Sequence, residues 1–503
     1  MNPDKTEIIL GPPGTGKTTK LLEILERSLK SFRSETISFI SFTRKAANEA
    51  AFRACEALNK ERDEFPLFRT MHSIAYEYLS INRSNIVIPS DYFTIAKKAG
   101  TFINFSKGDK FNNPEGLAAG NKILSIISYA KNNEVELKEA WEILGGINWI
   151  EVENFNKIYT TYKKEKNKLD FDDIIHKYAS EGIVPNINVL FIDEAQDLSK
   201  AQWKMAERLS KKTHVNYVAG DDDQSIYQWA GACTESFINL EGKPTTLSYS
   251  YRIPKSVHSL AISITKKIKN RRDKHYKPCA DRDGMVIFLQ DIFQIPFCDK
   301  ESWLLLGRNN SQLVYYEKLC EEYGLPFVSV NPDEALNKII TAVTTWKELR
   351  AGGHVLAKRA KICYEYMRPV ERVALGGKKK LQSLNDSMNL CMNDLRNQYG
   401  CVCSDYDWDY ALDKLDDKGR AYLKAIESHP DFYEPKITIS TIHGAKGGEA
   451  DNVVLATDMG QLTYRSYTEE DQDAEHRVWY VGVTRTKNKL YIIQPQTDYY
   501  YEL

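Results

Sequence analysis

Glu7-Ile8-Ile9-Leu10 runs straight into Gly11-Pro12-Pro13-Gly14-Thr15-Gly16-Lys17-Thr18-Thr19, an apolar segment followed by a glycine-rich turn and then a helical pattern over residues 19–30. The turn fits G-x-x-x-x-G-K-[ST], and a strand before it with a helix after it is the setting in which that spacing has physical meaning. Its glycines let backbone N–H groups close around phosphate oxygens, and the N-terminus of the following helix adds partial positive charge. Gly11, Pro12, Pro13, Gly14, Thr15, Gly16, Lys17, Thr18 and Thr19 are therefore the candidate nucleotide-binding residues. Lys17 is suited to neutralise the β- and γ-phosphates, and Thr18 to offer its hydroxyl to Mg²⁺.

A second apolar run, Asn188-Val189-Leu190-Phe191-Ile192, ends in Asp193-Glu194. Asp193 at such a strand tip can hold Mg²⁺ through its water shell, and Glu194 can polarise an attacking water. Adjacent carboxylates repel each other, and a cation relieves that repulsion. On its own the pair could simply cap a helix; with the phosphate loop it predicts ATP hydrolysis with ATP and Mg²⁺ as the bound species.

Further apolar runs at residues 36–41, 215–219, 303–306, 437–440, 452–456 and 490–493 alternate with amphipathic stretches. Bounded by Gly, Asp or Asn, they read as strands of buried parallel sheets, so the fold class is α/β. Residues 75–174 and 346–435 break this rhythm with Lys, Glu, Asn, Leu and Tyr and read as mainly helical insertions.

The chain has 503 residues, enough for about three domains, and 68 basic against 69 acidic side chains give a formal charge of −1. That balance excludes a protein basic all over, so binding of a polyanion would need a local groove. Eight basic residues between Lys255 and Lys277 face the single acid Asp273, which reads as a solvated helix face or as a phosphate-tracking surface. The acidic segment from Asp405 to Asp417 starts as D-x-D-x-D but has Tyr410 where a calcium loop needs Gly, and Asp416 where it needs Glu, which argues against calcium. Nine scattered cysteines suit free thiols in a reducing compartment; Cys401 and Cys403, even with Cys363 and Cys391, lack zinc spacing. No apolar run nears the roughly 18 residues of a membrane span, and Met1 to Lys5 lacks a signal-peptide core, so a cytoplasmic location without membrane contact is expected.

An ordered series of further motifs says more about what the ATP is for. Phe39-Ile40-Ser41-Phe42-Thr43-Arg44-Lys45-Ala46-Ala47, Arg69-Thr70-Met71-His72-Ser73, Leu169-Asp170-Phe171-Asp172-Asp173 and Asp193-Glu194-Ala195-Gln196-Asp197 follow the phosphate loop. Gly220-Asp221-Asp222-Asp223-Gln224-Ser225-Ile226-Tyr227-Gln228-Trp229 and Ser250-Tyr251-Arg252 come next. Thr441-Ile442-His443-Gly444-Ala445-Lys446-Gly447-Gly448-Glu449 and Tyr480-Val481-Gly482-Val483-Thr484-Arg485 complete the series. In content and order the chain resembles the UvrD/Rep/PcrA-type helicases of superfamily 1.

The resemblance implies two RecA-like motor domains, each with a mainly helical insertion: residues 1–74 and 175–250 as the first, interrupted by 75–174, and residues 251–345 and 436–503 as the second, interrupted by 346–435. The last insertion is shorter than in well-known members. It also implies that Gln224 senses the γ-phosphate, that Arg252 and Arg485 act as arginine fingers when the domains close, that Tyr251 stacks on adenine, and that Glu449 reaches the ribose. Trp229 and Phe42 match base-stacking positions, which suit a motor that ignores sequence. Tyr227, Thr43, Arg44, His72, Thr441 and His443 fall in the strand-contacting loops. Two departures stand out: Ala230 follows Trp229 where the family carries Arg, and Arg44 replaces an Asn. An upstream glutamine motif, which reads adenine in the family, finds little room in the ten residues before Gly11.

The function implied is a DNA-dependent ATPase that moves 3′-to-5′ on single-stranded DNA and separates duplex at junctions, as a monomer, with repair or replication proteins as partners. A translocase that strips bound proteins with little unwinding is the enzymatic alternative, and an ATP-switched interaction protein the non-enzymatic one; the retained Glu194 and both fingers favour turnover. A P-loop small-molecule kinase would leave every motif after residue 220 unexplained.

Overall fold

The computed structural model describes residues 1–41, 44–104, 118–298, 300–329, 334–427, 429, 431 and 434–503. The chain divides into two compact units, one of Met1–Asp291, Leu306–Asn309 and Thr441–Leu503, the other of Ile292–Leu305 and Asn310–Ser440.

In the first unit, β1 (Thr6–Leu10), β2 (Ile37–Ile40), β3 (Phe68–Arg69), β4 (Val189–Ile192), β5 (Val215–Gly220) and β6 (Lys243–Thr246) form a six-stranded sheet in the order β3-β2-β4-β5-β1-β6. Every pairing is parallel. All four residues of β4 are buried, as expected of a parallel strand covered on both faces. Alternate residues of β1 serve opposite layers. Ile9 packs with Leu21, Ile24 and Leu25 of α1 (Lys17–Ser28), while Ile8 and Leu10 pack with Trp203, Met205 and Leu209 beneath. Because the strands are parallel, the loops after β1, β4 and β5 gather at one edge, where ligands bind in open α/β sheets.

The same unit holds a parallel trio, Met285–Leu289, Thr486–Ile493 and Ala450–Ala456, with Thr486–Ile493 in the middle. The α/β class read from the sequence is thus the observed one. After α2 (Arg44–Leu58) the insertion is helical: α3 (Met71–Tyr78), α4 (Pro89–Ala99), α5 (Ala119–Asn133), α6 (Leu137–Leu144) and α7 (Trp149–Glu165), leading to α8 (Phe171–Glu181). Ile95, Ile123, Ile127, Val152 and Phe155 form a core of its own.

In the second unit Phe327–Ser329 pairs in parallel with Ile437–Thr441, and Val355–Leu356 pairs antiparallel with Asn389–Leu390 amid short helices. Among the described residues all nine cysteines are free. Cys363, Cys401 and Cys403 are buried, as are Trp346 and Tyr364, and buried thiols act as small apolar side chains. The acidic segment is spent locally: Asp405 pairs with Arg396 at 2.7 Å, Asp409 with Lys424 at 3.0 Å, and Asp416 accepts from the Gly419 amide at 2.8 Å. No helix among the described residues is long and apolar enough to cross a membrane.

The basic run corrects the sequence reading. Part of it is neither a solvated face nor a phosphate track, because Lys274 is buried with Asp221, Asp222 and Asp223, and Arg271 pairs with Asp223 at 2.6 Å. Three carboxylates in one buried turn require counter-charge, and this run supplies it.

Candidate nucleotide and nucleic-acid site

The phosphate loop leaves β1 with the Gly11 amide donating to the Gly220 carbonyl of β5 at 3.0 Å. Gly14 and Gly16 sit at φ +72° and +77°, a left-handed conformation that strains any side chain. A Cβ on Gly14 would also come within 2.4 Å of the Arg252 Cβ. Segment 250–252 lies along the loop: Ser250 Oγ donates to the Pro13 carbonyl at 2.8 Å and the Tyr251 amide to the Gly14 carbonyl at 2.8 Å. The Tyr251 side chain stays 71% exposed. Within the loop, Thr15 Oγ1 donates to the Pro12 carbonyl at 2.7 Å.

Lys17 Nζ lies 2.8 Å from Glu194 Oε1 and 3.9 Å from Asp193 Oδ1, and Thr18 Oγ1 is 3.4 Å from Asp193 Oδ2. Burial works against the Lys17 ammonium, but the charges of Glu194 and Asp193 more than offset it and hold its pKa above the ordinary lysine value. Burial pushes Asp193 up to about 6, against the pull of Lys17. Glu194 meets the same burial, yet Lys17 and Lys446 draw it down to about 2. The two neighbouring carboxylates are thereby shifted in opposite directions, Asp193 above the ordinary carboxylate range and Glu194 below it. Glu194 has φ +55°, a left-handed backbone held between β4 and the turn at Ala195–Asp197.

The later motifs converge on this edge. Arg485, 2% exposed, donates from Nη2 to Gln224 Oε1 at 2.9 Å, from Nε to the Val481 carbonyl at 3.0 Å and from Nη1 to the Gly448 carbonyl at 3.4 Å. Burial and the nearby charge of Arg252 lower its pKa. The Gln224 amide nitrogen donates to Asp221 Oδ2 at 2.7 Å. Arg252 forms an ion pair with Glu449, which also takes Lys487 at 2.8 Å, so Glu449 serves two cations.

Three groups went unassigned in the sequence. Lys446 donates to both oxygens of Asp197, at 2.7 and 2.6 Å, and to the Gln224 carbonyl at 2.7 Å. Burial, partly offset by Lys446, raises Asp197 to about 6. Lys487 is the third. The available signal was charge complementarity between motif strings, since Asp197 and Lys446 each stand in a quoted string without a role.

On the nucleic-acid side, Phe42, Thr43 and the side chain of Arg44 lie outside the described residues. His72 meets the edge of Phe171, itself 56% exposed, with ring centroids 5.7 Å apart. Tyr227 and Trp229 flank His443 at centroid distances of 6.4 and 6.3 Å, and Tyr227 Oη donates to the His443 carbonyl at 3.3 Å. Burial and the charges of Arg308 and Lys446 push His443 well below the ordinary histidine value, so its ring is neutral near pH 7. Thr441 is 4% exposed, and its hydroxyl accepts from the Gly444 amide at 3.1 Å. The structure therefore gathers Tyr227, Trp229 and His443, and turns Thr441 inward.

A phosphate loop, a carboxylate pair and two arginines on parallel sheets define the class: a P-loop nucleotide-hydrolase fold. Comparison with known proteins narrows it. Residues 1–245 match the UvrD/REP helicase N-terminal domain and residues 420–497 the UvrD-like helicase C-terminal domain. The chain belongs to the UvrD/Rep family of helicases, whose two RecA-like α/β domains its parallel sheets match. It is 29% identical to the ATP-dependent DNA helicase srs2 of Schizosaccharomyces pombe over 55% of this chain and 35% of that protein. It is 29% identical to the ATP-dependent DNA helicase Rep of Buchnera aphidicola over 64% of this chain and 52% of that protein. A probable DNA helicase II homolog of Mycoplasma capricolum is 24% identical over 99% of this chain and 83% of its own length. The chain thus spans about half or less of the first two relatives.

Proposed function

We propose that this protein is an ATP-driven motor that moves 3′-to-5′ along single-stranded DNA and separates duplex at junctions. The observation that carries the reading is the contact of Arg485 with Gln224, 2.9 Å, at the edge where Lys17 and Glu194 stand. Residues 1–74 with 175–250 act as one motor domain and 251–345 with 436–503 as the other, with the insertions 75–174 and 346–435 as accessories.

Lys17 and Arg252 stand against Glu194 and Glu449. Both cations lie where they can meet the phosphates of a bound triphosphate, and Glu194 stands where it can accept a proton from the attacking water. Thr18 and Asp193 are hard oxygen donors, and the raised pKa of Asp193 marks a site that a cation would relieve. Mg²⁺ held there would neutralise charge on the β- and γ-phosphates. Arg485 and Arg252 then face the charge that develops on the transferred group. Exposed Tyr251 is available to the adenine and Trp229 to a base, so that strand grip changes as nucleotide comes and goes.

The test is ATP hydrolysis with and without single-stranded DNA, followed by unwinding of 3′-tailed and 5′-tailed duplexes by wild type and Lys17→Ala. DNA-stimulated hydrolysis with unwinding of 3′-tailed substrate, both lost in the variant, is expected. Stimulation without unwinding would replace this reading with a protein-stripping translocase, and unwinding of 5′-tailed duplex alone would reverse the polarity.

A further inference from the structure

Lys274 has no role in nucleotide chemistry that its position in the sequence would suggest, yet it sits at the centre of the turn that carries Gln224. Its side chain is 1% exposed and reaches Asp221 at 2.8 Å, Asp223 at 3.0 Å, and Asp222. The other partners of this turn complete the set: Arg271 donates to both oxygens of Asp223 at 2.9 and 2.6 Å, the Arg272 amide to Asp222 Oδ2 at 2.8 Å, and Arg477 Nε to the Asp222 carbonyl at 2.9 Å. Asp221 is the member that faces the site. One oxygen takes Lys274 and the other takes the Gln224 amide nitrogen at 2.7 Å. With its nitrogen so held, Gln224 can present only its carbonyl oxygen to Arg485. An unbroken series of direct contacts thus runs from Lys274 through Asp221 and Gln224 to Arg485.

We propose that Lys274 is a positioning residue for hydrolysis, which acts through Asp221 to fix the orientation of Gln224. The inference rests on the ATPase reading above. Three successive buried carboxylates repel one another; the compact ammonium that touches all three keeps the turn closed and Asp221 aimed at Gln224. An apolar side chain at 274 would leave that repulsion to open the turn, and Gln224 would lose its orientation while the phosphate loop and Tyr251 stayed in place. The loss should therefore fall on turnover and not on nucleotide affinity.

The experiment is a double-mutant cycle on DNA-stimulated hydrolysis with wild type, Lys274→Met, Gln224→Ala and the double variant. Lys274→Met should lower kcat about tenfold or more and change KM for ATP by less than about threefold, and it should cost less than about twofold once Gln224 is Ala. Losses that multiply in the double variant, or a change confined to KM, would overturn the proposal. If Lys274→Met does not fold, Asp221→Asn cuts one of the two links with little change of shape and enters the same cycle, with the same two outcomes. Absence of DNA-stimulated hydrolysis in wild type would instead remove the underlying reading, so the two failures are separate.

Discussion

Tyr251 is tied to the phosphate loop by its backbone, through the Gly14 carbonyl, and its ring is left 71% exposed. A tyrosine needed for packing would be buried, so Tyr251→Ala should leave thermal stability within about 0.5 kcal/mol of wild type. The same change should raise KM for ATP about three- to tenfold, in line with loss of one aromatic stack. Tyr251→Phe should behave as wild type. A large fall in melting temperature with unchanged KM would make the ring structural. Arg485 is the opposite case, buried and donating in three directions. Lysine carries the charge but not the planar fork, so Arg485→Lys should lower kcat by about 10²–10³. A variant with near-normal turnover would show that charge alone suffices.

At the scale of elements, α8 shows how the helical insertion is fastened. Asp170 caps the helix, accepting from the Asp173 amide at 2.8 Å, and binds Lys131 of α5 and Lys163 of α7, each at 2.6 Å. Tyr159 Oη adds a hydrogen bond at 2.7 Å. Asp170→Asn leaves the ammonium groups of Lys131 and Lys163 to share the single carboxylate of Asp173 and should cost about 3 kcal/mol at pH 7. Burial raises the Asp170 pKa, but the two lysines more than offset this and hold it below 3.8. A folded-state pKa below the unfolded one adds stability above the unfolded value and loses it as pH falls toward the folded value. The gap in stability between wild type and Asp170→Asn should therefore stay constant from pH 7 to about 5 and shrink below about 4. A gap that widens on acidification would sink this account. The motif 169–173 was visible in the sequence, but its lysine partners were not, because they stand on other helices in unpatterned sequence. Strands followed the same rule. Buried runs such as 189–192 were legible from composition, whereas β6 is exposed and polar and β3 has two residues, too few for a period. The site residues were legible as strings; their pairing, such as Glu449 with Arg252, depends on distances that no spacing encodes.

For the whole molecule, a formal charge of −1 conceals how the cations are used. Lys274 and Arg271 are committed to Asp221, Asp222 and Asp223, Lys446 to Asp197, and Lys131 and Lys163 to Asp170 and Asp173. These cations are not free to meet phosphates, and His443 is neutral near pH 7. On the proposed motor reading, single-stranded DNA would be held more by aromatic stacking and backbone amides than by these cations. Stacking is insensitive to salt, while each phosphate neutralised contributes about −0.7 to the slope of log K against log salt. Fewer than about six such contacts predicts a slope shallower than about −4 for this protein on an unstructured oligonucleotide. Fluorescence anisotropy between about 50 and 200 mM salt measures it. A steeper slope would mean that a basic surface outside the internal pairs holds the strand, and the aromatic cluster of Tyr227 and Trp229 would lose its place as the main grip.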